Sequence, residues 1–155
     1  MAIYVRRREF IITLSAIAAT SPLASHAQQF DQVRRISVLM GYAESDSEGQ
    51  AQIAAFRAGL QKLGWMEGRN IRIDTRWVTP GDAELMQRFA KELVALKPDL
   101  ILSHNTPATA AVLQQTRTIP IVFALVSDPV GSGFVANYRR PGGNVTGFDV
   151  SEPMQ

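Results

Sequence analysis

From Ile36 to Val126 the chain alternates strand-like apolar runs with amphipathic helical stretches, and every connection is short, which leaves few folds open. Ile36-Ser37-Val38-Leu39-Met40 has the composition of a strand. Behind it, Ser45-Asp46-Ser47-Glu48 has capping-box spacing, in which a hydroxyl and a carboxylate each satisfy a free amide at a helix start. Ile53, Phe56, Leu60 and Leu63 then recur at helical spacing as a core-facing stripe, until Gly64 supplies a left-handed stop. Ile71 to Trp77 alternates at period two, the mark of a strand near a sheet edge with one wetter face. Asp82 is placed to cap the next helix, whose apolar face is Leu85, Phe89, Leu93 and Leu96. Leu100-Ile101-Leu102 is a short apolar strand, and Thr106-Pro107 reads as cap plus proline at the first helical position of a helix reaching about Gln115. The run from Ile119 to Val126 is apolar without alternation, as a parallel strand covered by helices on both faces requires. Pro141-Gly142-Gly143 turns the chain toward a last strand, Asn144 to Phe148.

Strict alternation of this kind predicts an α/β fold, a doubly wound parallel sheet flanked by helices with right-handed crossovers. Ligands in such sheets bind beyond the carboxyl ends of the strands, where a change in strand order opens a crevice. The candidate site therefore comprises Tyr42 to Ser47, Ser103 to Thr106, and Ser127 to Gly133.

The first residues have the layout of an export signal. Arg6-Arg7-Arg8 precedes an apolar stretch from Phe10 to Ala19, and Ser25-His26-Ala27 offers small residues for cleavage near Ala27. Arg7-Arg8-Glu9-Phe10-Ile11 fits a twin-arginine signal and suits a general secretory signal equally. Residues 1–27 are thus expected to be a signal peptide and the protein to work outside the cytoplasm. Of the chain's 16 basic and 14 acidic residues, the leader holds Arg6, Arg7, Arg8 and Glu9, so 13 of each remain and the mature part is formally neutral. A neutral domain without a basic run carries no electrostatic footprint for nucleic acid.

Catalytic and metal chemistry have little to draw on. There is no cysteine, and His104 is the one histidine beyond the leader, so a thiol nucleophile or a structural zinc site has no ligand set. His104 reads as a hydrogen-bonding loop residue rather than a base. Gly131-Ser132-Gly133 resembles part of a dinucleotide fingerprint, but a true one follows the first strand and opens a long helix. This one follows the fourth strand, after Asp128-Pro129, and Pro141 cuts short any helix. No GxxxxGK[ST] or GxSxG element is present, and Asn144-Val145-Thr146 matches a glycosylation sequon only within a turn and strand. No cofactor is expected. The alternative is an exported Rossmann-like oxidoreductase using a nicotinamide or flavin cofactor.

Several segments taken together are more specific than any of these patterns: LVALKPDLIL, IPIVFALVSDPVGSGFV and RRPGGNVTGF, behind an RREF leader. This combination, running essentially the whole chain, resembles the exported substrate-binding proteins of ABC transporters, and more narrowly the family with tryptophan- and tyrosine-type amino-acid receptors. The resemblance implies one lobe of a type I periplasmic-binding-protein fold, a small solute held in an interlobe cleft, a membrane permease as partner, and no catalysis. Such receptors have two lobes, so residues 28–150 correspond to the amino-terminal lobe and 151–155 to the start of the hinge. The late crossings by which the chain returns to the first lobe have no counterpart here. On this resemblance the expected ligand-binding residues are Tyr42, Ser103, Asn105, Thr106, Ser127 and Asp128. Tyr42 could pack on a ligand ring or cover the sheet edge, and Asp128 could pair with an ammonium or form a turn. The amide-rich helix start after Thr106 suits a carboxylate.

Overall fold

The computed structural model describes residues 33–149. The expected signal peptide and hinge lie outside them. The described residues form five strands and three helices: β1 (Arg34–Met40), α1 (Ser47–Lys62), β2 (Ile71–Trp77), α2 (Ala83–Ala95), β3 (Leu100–His104), α3 (Thr106–Gln115), β4 (Ile121–Val126) and β5 (Val145–Asp149). All strand pairs are parallel and the order is β2-β1-β3-β4-β5. The expected doubly wound α/β sheet is therefore present, with β2 at the edge. Because β2 lies on one side of β1 and β3 on the other, right-handed crossovers send α1 to one face and α2 and α3 to the opposite face.

The two faces carry separate cores. Leu39, Leu93, Ile101, Val112, Ile121 and Val126 pack under α2 and α3. Ile36, Val38, Met40, Ile53, Ile71 and Ile73 pack under α1. At the amino end of the sheet the Asp99 carboxylate accepts from the Arg35 amide and the Arg34 guanidinium, both at 2.8 Å, joining β1 to the start of β3. These hydrogen bonds hold the Asp99 carboxyl below its ordinary value, the Arg35 amide most of all.

The helix signals are one residue off in two places. The α1 cap is Asp46, whose Oδ1 accepts from the Glu48 and Gly49 amides at 2.9 Å, so Ser45 makes no capping box. A carboxylate also complements the helix dipole, which a serine does not. Asp46→Ala should lower stability by about 1 kcal/mol, read as a drop in midpoint on chemical unfolding. At α3 the cap is Asn105 rather than Thr106, and Pro107 is the second helical residue. The end of the α1 stripe is also corrected, since Leu63 is 77% exposed just before the left-handed Gly64.

The continuous apolarity of β4 has a different outcome from the one expected. One face of the sheet is covered by α2 and α3, but on the other face the core under α1 takes in β1, β2 and, at Leu100 and Leu102, β3, and leaves β4 and β5 less covered. Beside α1 an apolar groove of about 500 Å³ is left, lined by Met40, Phe56, Leu102, Val122, Ala124 and Phe148. Phe148 is 71% exposed there.

Candidate functional site

Strand order reverses between β1 and β3, so the crevice opens where their carboxyl ends diverge. Gly41 and Tyr42 follow β1 at this point, and His104 and Asn105 end β3. The two loops touch. The Tyr42 and His104 rings lie 4.8 Å apart at 37°, and a Cβ on Gly41 would run into the Asn105 amide group. Glycine at 41 is what lets Asn105 reach across the crevice.

Asn105 is held in a conformation that side chains rarely adopt, with φ at 73°. Three interactions keep it there. Its amide donates to Ala124 O at 2.9 Å, its carbonyl accepts from the Thr109 amide, and its Oδ1 caps the Ala108 amide at 3.0 Å. The cap also changes the expectation for a ligand carboxylate. With Ala108 satisfied by Asn105 and no N–H on Pro107, the helix start has the Thr106 amide left to offer.

The other expected residues sit around this point in distinct roles. Ser103 is fully buried, and its hydroxyl shares a 2.8 Å hydrogen bond with Thr109, whose hydroxyl also bonds Asn105 O. It braces the loop from beneath. Thr106 Oγ1 accepts from the Ser127 amide at 3.3 Å, tying the β3 loop to the β4 loop. Ser127 and Asp128 are exposed. Of the two readings of Asp128, the turn former matches its geometry: at φ 46° its Oδ1 accepts from the Gly131 amide at 2.7 Å. A Cβ on Gly131 would collide with that carboxylate, which accounts for the first glycine of Gly131-Ser132-Gly133, and Gly133 has φ of 72°. The segment continues as turns with no helix opening from it, so it has none of the geometry of a dinucleotide fingerprint.

Backbone in the left-handed region gathers at this end of the sheet. Asn105, Leu125 and Asp128 are three of the four non-glycine residues with positive φ among the described residues. Leu125 sits at the register shift between Ala124 and Val126. Strain of this kind persists where surrounding structure enforces it, as at binding sites.

His104 is the feature that sequence reasoning placed wrongly. It is the last residue of a strand and 93% buried, and neither ring nitrogen has a hydrogen-bond partner among the described residues. It is not a hydrogen-bonding loop residue. Burial lowers its pKa, opposed by the Glu48 carboxylate across the crevice. Burial first and the Glu48 carboxylate second also push the Tyr42 phenol up. A histidine at the third strand's end faces inward or outward by register alone, a signal available only once β3 is known to run through residue 104. Among the described residues, no group of histidine, cysteine, aspartate and glutamate side chains could hold a metal ion.

The switch-point loops of this parallel sheet bring together an aromatic ring, an amide and hydroxyls at the place where ligands bind in sheets of this kind. The ABC transporter substrate binding protein family model matches residues 36–155, and the chain belongs to that family. It is 38% identical over 92 residues to a tyrosine-binding protein of Clostridioides difficile strain R20291, covering 59% of this chain and 26% of that protein. Among solved structures it is similar to the ligand-free, open form of a Clostridium difficile substrate binding protein with adhesive properties, at 34% identity and a TM-score of 0.68. It is also similar to a Streptococcus pneumonia ABC domain in complex with L-Trp, at 29% identity and a TM-score of 0.67. Those matches cover 74% and 75% of this chain and 38% of each structure. The chain thus spans between a quarter and two-fifths of the length of these relatives.

Proposed function

We propose that this chain is the amino-terminal lobe of an extracytoplasmic solute receptor that captures a free amino acid for an ABC importer, without catalysis. The observation that carries this is the contact of Tyr42 with His104 and of Gly41 with Asn105 at the switch point, which builds one wall of a cleft from the two diverging loops. Tyr42 offers a ring face, and the Thr106 amide with the exposed Ser127 offers polar contacts for a small zwitterion. Ser103 and Asp128 act behind them, through Thr109 and Gly131. The tyrosine-binding and L-Trp-bound relatives support an amino acid as the solute class. A membrane permease is the protein partner this reading requires, and the leader in the first 27 residues supports export by the secretory or twin-arginine route.

A second lobe would supply the opposite wall, and its returning chain would cover the bare face of β4 and β5, where Leu125 and Phe148 are exposed. Closure of two lobes on the solute is the signal such a receptor gives its transporter.

A thermal-shift panel of amino acids, sugars, NAD, NADP and FMN tests the reading. Ligand at about 100 times its dissociation constant adds about 2.7 kcal/mol to stability. The expected result is a small shift confined to amino acids at high concentration, growing when a second lobe from a full-length relative is fused after Gln155. A shift with a nucleotide cofactor would overturn the receptor in favour of an oxidoreductase.

A further inference from the structure

The outer edge of β2 carries a self-complementary pattern. Ile71 turns its backbone outward, its carbonyl accepting from the Gly68 amide at 3.0 Å and its amide donating to Met66 O at 3.3 Å. Val78 turns inward, its amide donating to Met40 O at 2.9 Å. Since backbone direction alternates along a strand, Ile73, Thr75 and Trp77 also present N–H and C=O groups away from the sheet. The lower end is already closed by the chain itself, through the parallel bridge of Glu67 with Ile71. The open window is therefore Ile73 to Trp77, and its centre is Thr75.

We propose that a second copy of this chain adds antiparallel to β2 about a two-fold axis at Thr75, making one ten-stranded sheet across the pair. The register follows from the window. Thr75 meets its own mate as a hydrogen-bonded pair, Ile73 meets Trp77 twice, and Asp74 meets Arg76 twice in the closer, non-hydrogen-bonded positions. A one-residue shift that put the axis at Asp74 would set Asp74 against Asp74 and Arg72 against Arg76, which like charges forbid. The groups beside the strand follow the same symmetry. A groove of about 410 Å³ runs along this edge, lined on the α1 side by Arg57 toward one end and by Gln50 and Glu44 toward the other. The two-fold axis turns one copy's Arg57 toward the other's Glu44. Three buried atoms here have no hydrogen-bond partner: Thr75 Oγ1, Arg57 Nε and Asp74 Oδ2. Arg57 Nε and Asp74 Oδ2 each stand 3.2 Å from an ion-pair partner, Glu67 and Arg35, without hydrogen-bond alignment. Pairing at Thr75 places a second hydroxyl and an Arg76 guanidinium beside two of the three.

Sedimentation velocity on the 155-residue chain over a wide concentration range is the test, with four variants. The chain is expected to dimerise. Thr75→Pro removes an outward-facing N–H that the sheet itself does not use, a change edge strands tolerate, and is expected to give a folded monomer whose melting temperature no longer depends on concentration. If Thr75→Pro fails to fold, Arg76→Glu decides: placing like charges opposite each other twice should weaken association about tenfold or more. The chain has no cysteine, so Thr75→Cys should be joined to its mate by a short bis-maleimide and Phe148→Cys should not. A monomer at all concentrations, a dimer indifferent to both edge changes, or cross-linking at position 148 in place of 75 would overturn the proposal.

Discussion

Gly41→Val is expected to disable the site and to cost about 3 kcal/mol of stability, more than a typical surface change, because it forces two adjustments at once. The first is steric. Even a Cβ at position 41 falls on the Asn105 amide group, and valine adds two branches behind it. The second concerns Asn105 itself, whose side chain cannot swing away without releasing the Ala108 amide it caps and whose backbone already sits at φ 73°. Losing such a cap alone is worth about 1 kcal/mol. The displacement then propagates, because Asn105 O holds the Thr109 hydroxyl that in turn holds Ser103. Equilibrium unfolding reads the stability loss, and ligand-induced shifts in a two-lobe version read the loss of binding. Gly59→Val is the control. No atom stands within 4 Å of a Cβ there, and valine is a better helix former than glycine, so stability should be unchanged or rise by a few tenths of a kcal/mol.

This coupling was only partly legible in the sequence. Periodicity found every strand and helix, and the alternating Ile71-Arg72-Ile73 pattern found the edge, because burial on one side or two leaves a direct mark on residue choice. Topology then located the loops. What it did not give was how each side chain is spent. Asp46 and Ser45 are both good caps, and only the local backbone decides between them. Asp128 before a proline suits either a turn or a ligand, and its bond to Gly131 is visible only in three dimensions. The apolar run of β4 was misleading for a physical reason. Apolarity on both faces records what must be covered, not what covers it, and among the described residues β4 has helices on one face and an open groove on the other.

His104 makes stability depend on pH on the mildly acidic side of neutrality. Its folded pKa is lowered by burial, so the unfolded chain, with histidine near 6.5, takes up a proton that the folded chain refuses. The associated stability is complete above that pH and is lost as the pH falls below it, until the folded value is reached. Asp99 acts in a separate window. Its carboxyl is held low by the Arg35 amide, so its contribution is present above about 3.8 and lost only in stronger acid. Melting temperature is therefore expected to fall in two stages on acidification. His104→Leu should remove the first stage and leave the second. It should also raise stability at neutral pH by about 1 kcal/mol or more, since it replaces two partnerless buried nitrogens with an apolar group facing Met40, Leu102 and Phe148. His104→Gln separates the two effects, removing the titration while keeping unpaired polar atoms in the groove, so it should flatten the first stage without the gain. A chain that melts at the same temperature from neutral to mildly acidic pH would show that His104 reaches solvent or a partner in both states. If instead His104→Leu destabilises, the ring is held by an interaction that its contact with Tyr42 does not account for.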